Sequence, residues 1–274
     1  MLKIDLHVHS VYSDGTFTPE RIVAMAKRRK ITVLSLTDHD TLDGQDEFVR
    51  ACRKMGVHWI RGVELSAQYS STLHILGYRV DVPEIMEKKL VELRSFREER
   101  NRAILRKLVS LGIDIGYDEL VREAGGNVVA RPHFARIMVR KGYADSIGSA
   151  FRKYLARGAA AYVDRVRLSP EECMDIIIRS GGLPVLAHPI QTTRDMDELF
   201  TILSKLKGYG LWGLECIYPG HSPANTMCYL RMASQLDLFP TAGSDFHGNN
   251  RPSINLGMTV RDDFLPWARM NISL

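Results

Sequence analysis

Nine histidines are spread over 274 residues, and six of them fall at or near the ends of short apolar runs. Asp5-Leu6-His7-Val8-His9 comes first. Residues two apart on a strand share a face, so His7 and His9 converge at one strand end. That is the geometry of a ligand pair for a divalent metal, although two polar residues on an exposed strand end would read the same way. Thr37-Asp38-His39-Asp40 follows the apolar stretch VLSLT, Glu64 ends WIRGVEL, and His74 lies in the next strand. Ala187-His188-Pro189 follows LPVLA, and Ser244-Asp245-Phe246-His247 follows TAG, where Asp245 and His247 repeat the spacing of the first pair. Barrels carry their active sites at the C-terminal ends of their strands, which is where these groups fall. Six such placements point to a metal site. Histidine and carboxylate donors without cysteine suit Zn, Mn or Fe.

The elements that must position these groups alternate. Strands are predicted over residues 3–9, 32–37, 59–66, 72–78, 183–187 and 211–217, with a last short one ending at Gly243. Helices are predicted between them, the first opened by Thr18-Pro19-Glu20, a capping residue followed by proline in the first turn. The short gap between the third and fourth strands suggests a hairpin. Alternating strands and helices argue for a parallel, barrel-like α/β domain. No strand signal falls between about residues 80 and 160, where a long helix from Pro83 to about Leu111 is followed by shorter ones. Residues 97–167 therefore read as a helical insertion, with a packed helical stretch of the barrel itself as the alternative. The barrel would then comprise residues 1–96 and 168–274.

Composition is that of a folded chain: 45% hydrophobic and 25% charged residues exclude collagen-like, coiled-coil and largely disordered classes. The four cysteines form no C-x-x-C pair, so buried free thiols are expected. Asp5 interrupts any apolar signal-peptide run, and no stretch approaches a membrane span. A cytoplasmic protein without a membrane partner is expected. Cys173 and Arg179 match the C-x₅-R spacing of cysteine phosphatases, but the residues between them follow a helical pattern rather than a phosphate loop.

The ordered set DLHVHS, SDGT, TDHD, GVELS, HILGY, AHP and GSDFHG, spanning residues 5–248, resembles the PHP (polymerase and histidinol phosphatase) domain family. The resemblance implies a distorted (β/α)₇ TIM-like barrel with a small helical insertion domain and a site for two to three divalent ions: Mn²⁺, Fe²⁺ or Zn²⁺, with Mg²⁺ admissible. It implies that His7, His9, Glu64 and Asp245 hold one ion. Glu64 as a bridge, with His74 and His188, would hold a second, and Asp14, His39 and His247 a third. Asp14 alone, in Ser13-Asp14-Gly15-Thr16, would pass as a turn residue. Asp38 and Asp40 are expected to orient His39. His58 is expected to be structural, and His221 to lie on the site rim or in a plain loop.

A divalent cluster favours hydrolysis, because bound ions lower the pKa of water and neutralise charge on phosphoryl oxygens. The expected reaction is attack of a metal-bound hydroxide on a phosphate ester, with His7, His9, Glu64, Asp245 and His247 at the reacting centre. The net charge of +5 is uneven, since residues 94–167 contain 16 Lys/Arg against 8 Asp/Glu. Part of this is a solvated helix face, where Glu98 can pair with Arg102. Arg131, His133 and Arg157 instead flank predicted turns and are expected to bind phosphate. The GVELS, RPH, YLARG and GSDFHG pattern resembles a bacterial branch that includes a phosphatase of nucleoside 3′,5′-bisphosphates and a 5′→3′ exonuclease on short RNA. The implied substrate is a 3′,5′-nucleoside bisphosphate or short 5′-phosphorylated RNA, not long duplex nucleic acid. Tyr143, Tyr154, Tyr162 and Tyr218 are candidates for base stacking. Competing readings are a histidinol-phosphatase-like small-molecule phosphatase, a C–N-cleaving amidohydrolase and a non-catalytic PHP module.

Overall fold

The computed structural model describes residues 1–124, 129–270 and 272. These divide into two compact units, one formed by residues 1–90 with 167–274 and the other by residues 91–166.

The first unit is built on one eight-stranded sheet. Its strands are β1 (Leu2–Val8), β2 (Val33–Leu36), β3 (His58–Ser66), β4 (His74–Tyr78), β5 (Leu183–Leu186), β6 (Gly213–Ile217), β7 (Phe239–Ala242) and β8 (Met258–Val260). The order across the sheet is β7-β6-β5-β4-β3-β2-β1-β8. β1, β2 and β3 are parallel, as are β5, β6 and β7. β4 is antiparallel to both β3 and β5. The sheet is bent nearly into a closed ring. One edge of β1 pairs antiparallel with β8 at Leu2–Ile4, and farther along it meets the segment after β7 through a parallel bridge between Val8 and Phe246. The expected distorted barrel is thus present, with a short eighth strand that the sequence reading did not include. Three residues are too few to give a periodic signal.

Helices cover the sheet and start where the sequence supplies caps. In α1 (Pro19–Arg28) the Thr18 side chain accepts from the Arg21 amide, and Pro19 fills the first turn. α2 (Gln45–Met55) ends on Gly56 at φ +64°. Ile22, Val23 and Ala26 of α1 and Phe48, Val49 and Cys52 of α2 pack with Val8, Leu34 and Leu36 of the sheet. A second cluster comes from the strands themselves, including Leu6, Val33, Ile60, Leu76, Val185 and Ala242. The thiol of Cys173 is buried in α7 of the same unit (Pro170–Arg179), burial pushes its pKa well up, and Arg179 pairs with Asp175. The phosphatase-like spacing is therefore a property of a core helix. All four cysteines are free.

The long helix α3 (Pro83–Ser110) leads from the residues of the first unit into the second. The second unit also contains α4 (Tyr117–Ala124), α5 (Arg131–Arg140) and the short α6 (Ile147–Ala150). Its described residues include no strand and have their own core, in which Ile104, Leu108, Leu120, Phe134, Ile137 and Leu155 are buried. Among the described residues no helix is long and apolar enough to cross a membrane.

Candidate metal centre

The barrel gathers the sequence motifs at one end. β1 delivers His7, and His9 follows it. The Asp245 amide donates to the His7 carbonyl (2.8 Å) and the His9 amide to the Phe246 carbonyl (2.9 Å), so the last motif is laced to the first. Gly243 permits this approach, because a Cβ there would collide with His7 and with the Glu215 carboxylate. His74 arrives differently from the rest. It opens β4 rather than ending it, and because β4 runs antiparallel its first residue lies at the same mouth as the last residues of its neighbours. Asp40, His188 and Asp245 adopt positive φ values of 52°, 25° and 58°, a conformation that costs energy for a non-glycine residue and is common at functional sites.

Glu64 is the hub. Its Oε1 lies 2.9 Å from His74 Nδ1 and 3.0 Å from His188 Nε2. Its Oε2 lies 3.0 Å from His39 Nδ1, 3.2 Å from His9 Nε2 and 3.3 Å from His7 Nε2. Asp245 Oδ1 lies 3.5 Å from His7 Nε2 and 3.3 Å from both His9 Nε2 and His247 Nδ1. Asp14 Oδ1 reaches His247 Nε2 at 3.1 Å and His9 Nδ1 at 3.6 Å. Ligand atoms of His7, His9, Glu64 and Asp245 lie within 4.8 Å of one another, as do those of His9, Asp14, His39 and His247, and those of His39, Glu64 and His74. All nine residues expected to ligate metal are therefore brought together. His9, His39 and Glu64 each join two of these groups.

Divalent cations suit this arrangement. His39 Nδ1, Glu64 Oε2, His188 Nδ1 and His247 Nε2 are buried without an aligned hydrogen bond. Such orphaned groups are costly unless a ligand satisfies them. An all-imidazole and carboxylate donor set satisfies the chemistry of Zn, Mn or Fe. The charges are strongly coupled. Burial opposes a proton on His9, but Asp245, Glu64 and Asp14 outweigh it and push its pKa up to about 10. His7 is likewise held well above its ordinary value, with burial overcome by Glu215, Glu64 and Asp245. Burial is decisive at His39, whose pKa falls to about 4. Burial would raise Glu64, yet the surrounding His39, His7 and His74 hold its carboxyl well below the usual range.

The supporting groups differ from expectation. Asp38 accepts from the Ser10 amide (2.7 Å) and from the Ser10 and Ser13 hydroxyls, and Asp40 accepts from the Ser66 amide (3.1 Å). They fix the loop after β1 and the end of β3, while the Nδ1 of His39, the ring they were expected to orient, lies 3.0 Å from Glu64 Oε2. Their short side chains reach backbone amides more readily than the neighbouring ring. The sequence reading missed Glu215. It accepts from His7 Nδ1 (3.0 Å), which turns His7 Nε2 toward Glu64, and from the His188 amide (2.7 Å). A carboxylate inside the apolar strand GLECI was the available signal. Asp5 accepts from the Ser244 amide (2.8 Å) and the Gly257 amide (2.7 Å), and burial raises its pKa to about 6. Arg251, also missed, forms an ion pair with Asp245 Oδ2. Tyr218 reaches the same oxygen at 3.4 Å. His221 lies in the loop after β6, where its Nδ1 donates to the Cys216 carbonyl (3.0 Å) and its ring packs between Tyr218 and Tyr229. His58 opens β3 and is exposed.

Arg131, His133 and Arg157 belong to the second unit. Arg131 and His133 sit in the first turn of α5 rather than beside a turn. Arg131 Nη1 donates to the Leu155 carbonyl (3.0 Å), and the guanidinium lies 5.5 Å from the Tyr162 ring. His133 Nδ1 accepts from the Ala130 amide (2.9 Å). Arg157 is exposed. Tyr143, Tyr154 and Tyr162 are residues of the same unit, and Tyr143 and Tyr154 pack against its core.

A nearly closed α/β barrel with a buried histidine–carboxylate cluster at its mouth defines a class, the metal-dependent barrel hydrolases. The chain belongs to the PHP domain family, whose model matches residues 5–169. It is 33% identical over 247 residues to a 5′-3′ exoribonuclease of Haemophilus influenzae, covering 89% of this chain and 90% of that one. It is 32% identical over 272 residues to a 3′,5′-nucleoside bisphosphate phosphatase of Chromobacterium violaceum, covering 98% and 95%. A Chromobacterium violaceum structure described as an amidohydrolase, with bound sulfate and no metal, superposes with a TM-score of 0.80 at 30% identity over 98% of this chain and 95% of that one.

Proposed function

We propose that this protein hydrolyses a phosphate ester of a nucleotide, either a 3′,5′-nucleoside bisphosphate or short 5′-phosphorylated RNA, using two to three divalent ions at the barrel mouth. The observation that carries this is the convergence of nine ligand side chains, Glu64 at their centre, in a chain with relatives named a 5′-3′ exoribonuclease and a 3′,5′-nucleoside bisphosphate phosphatase. Divalent ions bound there activate water near neutral pH and neutralise charge on phosphoryl oxygens.

The chain's own residues have distinct tasks. His7, His9, Glu64 and Asp245 would hold one ion. Glu64, His74 and His188 would hold a second, and Asp14, His39 and His247 a third. Glu64 would be shared between two ions, and it does not take up a proton, because the surrounding imidazoles keep it ionised. Glu215 keeps the ring of His7 turned with Nε2 toward the cluster. The basic helical unit supplies substrate contacts. His133 uses Nδ1 for its own helix, which leaves Nε2 to donate to phosphate, and Arg131 and Arg157 add charge. The four free thiols fit a cytoplasmic setting.

The test is direct. Purified protein is assayed for metal content and then, with Mn²⁺, for phosphate release from adenosine 3′,5′-bisphosphate, short 5′-phosphorylated RNA and histidinol phosphate. Release from either nucleotide substrate supports the reading, and release from histidinol phosphate alone overturns the substrate choice. Cleavage of an amide panel with no phosphate release would instead favour the C–N reading that the solved relative's description carries.

A further inference from the structure

Asp245 divides its two oxygens. Oδ1 faces His7, His9 and His247, while Oδ2 is turned away from these rings and held by Arg251 and Tyr218. Tyr218 in turn accepts from Gln191 Nε2 at 3.1 Å. The backbone that carries Arg251 is fixed. Its amide donates to the Gly248 carbonyl (3.2 Å), Asn249 donates from its amide to Thr16 Oγ1 (2.8 Å), and Asn250 Nδ2 donates to the Asp14 carbonyl (2.7 Å). Gly248, at φ +64°, permits this contact, because a Cβ would collide with Thr16 and Phe17.

The Arg251 side chain is nevertheless 39% exposed, against 3% for the Asp245 that it pairs with. Only Nη1 is engaged, and among the described residues Nη2 and Nε have no hydrogen-bond partner. A guanidinium presents five donors in a planar fork, so one edge can hold a carboxylate while another binds a second oxyanion. Its charge is permanent at any working pH. An arginine needed only to anchor Asp245 has no reason to leave most of its donors open at the rim of a metal centre.

We propose that Arg251 is a phosphoryl-binding residue of the barrel unit, seated by Asp245 and Tyr218 and using its remaining donors on the phosphate oxygens of the substrate. This rests on the reading of the site as a phosphoesterase. It differs from the contacts assigned to the helical unit, because Arg251 belongs to the same unit as the ligands.

The test uses the Mn²⁺-loaded full chain and the variants Arg251→Met and Arg251→Lys. Metal content is measured by elemental analysis, inorganic phosphate binding by calorimetry, and hydrolysis with adenosine 3′,5′-bisphosphate. Arg251→Met is expected to keep its metal and to bind phosphate about 10-fold or more weakly, as the loss of a charged hydrogen bond requires. Arg251→Lys should fall between it and the unsubstituted chain. Phosphate affinity within about twofold of the unsubstituted chain, with metal retained, overturns the proposal. So does loss of metal from both variants, which would make Arg251 a positioning residue for Asp245. Phosphate binding that depends on Arg251 in a protein that hydrolyses no phosphate ester would sink the hydrolytic reading and leave this one standing.

Discussion

At the scale of single residues, the site is governed by how protons and cations compete for the same lone pairs. His9, buried between Glu64 and Asp245, has its pKa pushed up to about 10 from an ordinary 6.5. A histidine raised on folding stabilises the fold below its unfolded pKa, and that contribution is lost as pH rises through the folded value. Metal-stripped protein is therefore expected to lose thermal stability between about pH 6.5 and about pH 10, a loss that Mn²⁺ reverses. Because the ring must be neutral to ligate, metal binding at pH 7–8 should also release protons. Calorimetry in two buffers of different ionisation enthalpy measures that release, and its absence would contradict a protonated His9. Glu215→Gln tests the support of His7. It keeps a hydrogen-bonding group but can present its amide to Nδ1, and metal affinity or activity should fall by about 10–100-fold. An unchanged metal titration would show that Glu215 does not orient His7.

At the scale of elements, strand ends place the chemistry and helix caps hold the strands in register. Gly243→Ala puts a methyl group against His7 and Glu215, so the variant should keep its helical circular dichroism and lose metal. Ser169→Ala is the contrast. Ser169 accepts from the Glu172 amide (3.2 Å) while Glu172 accepts from the Ser169 amide (2.7 Å) at the start of α7. Its loss should cost about 1 kcal/mol in urea unfolding and leave turnover unchanged. The cap of α1 was legible in Thr18-Pro19-Glu20, because local hydrogen bonds depend only on neighbouring residues. The reversal of β4 was legible only as a hairpin. The three-residue β8 was not legible at all, because its pairing partner, Leu2–Ile4, lies some 250 residues away.

At the scale of the whole molecule, two compact units share one chain, and their chemical characters differ: a carboxylate-lined barrel and a basic helical unit. Arg131→Ala and His133→Ala are expected to raise KM for the nucleotide substrate while metal content stays unchanged. Loss of metal from either variant would place those residues in the barrel's architecture instead. Chelation should lower the melting temperature of the full chain, since ions that bind only the folded state stabilise it by mass action, by about 2.7 kcal/mol at 100 times Kd. The net charge of +5 is the sum of these opposing parts.

The sequence by itself determined the donors. Side-chain period two on strands and the position of the motifs at or near strand ends were enough to single out eight of the nine ligand residues, because both are local properties of the chain, and only the resemblance to the PHP family added Asp14. What only the tertiary structure decided was how those donors are shared and held. Glu64 reaches five histidines from four motifs, Glu215 fixes His7 from 208 residues away, and Arg251 occupies the second oxygen of Asp245. Barrel closure creates these contacts, and no sequence spacing encodes which oxygen of a carboxylate will face which ring.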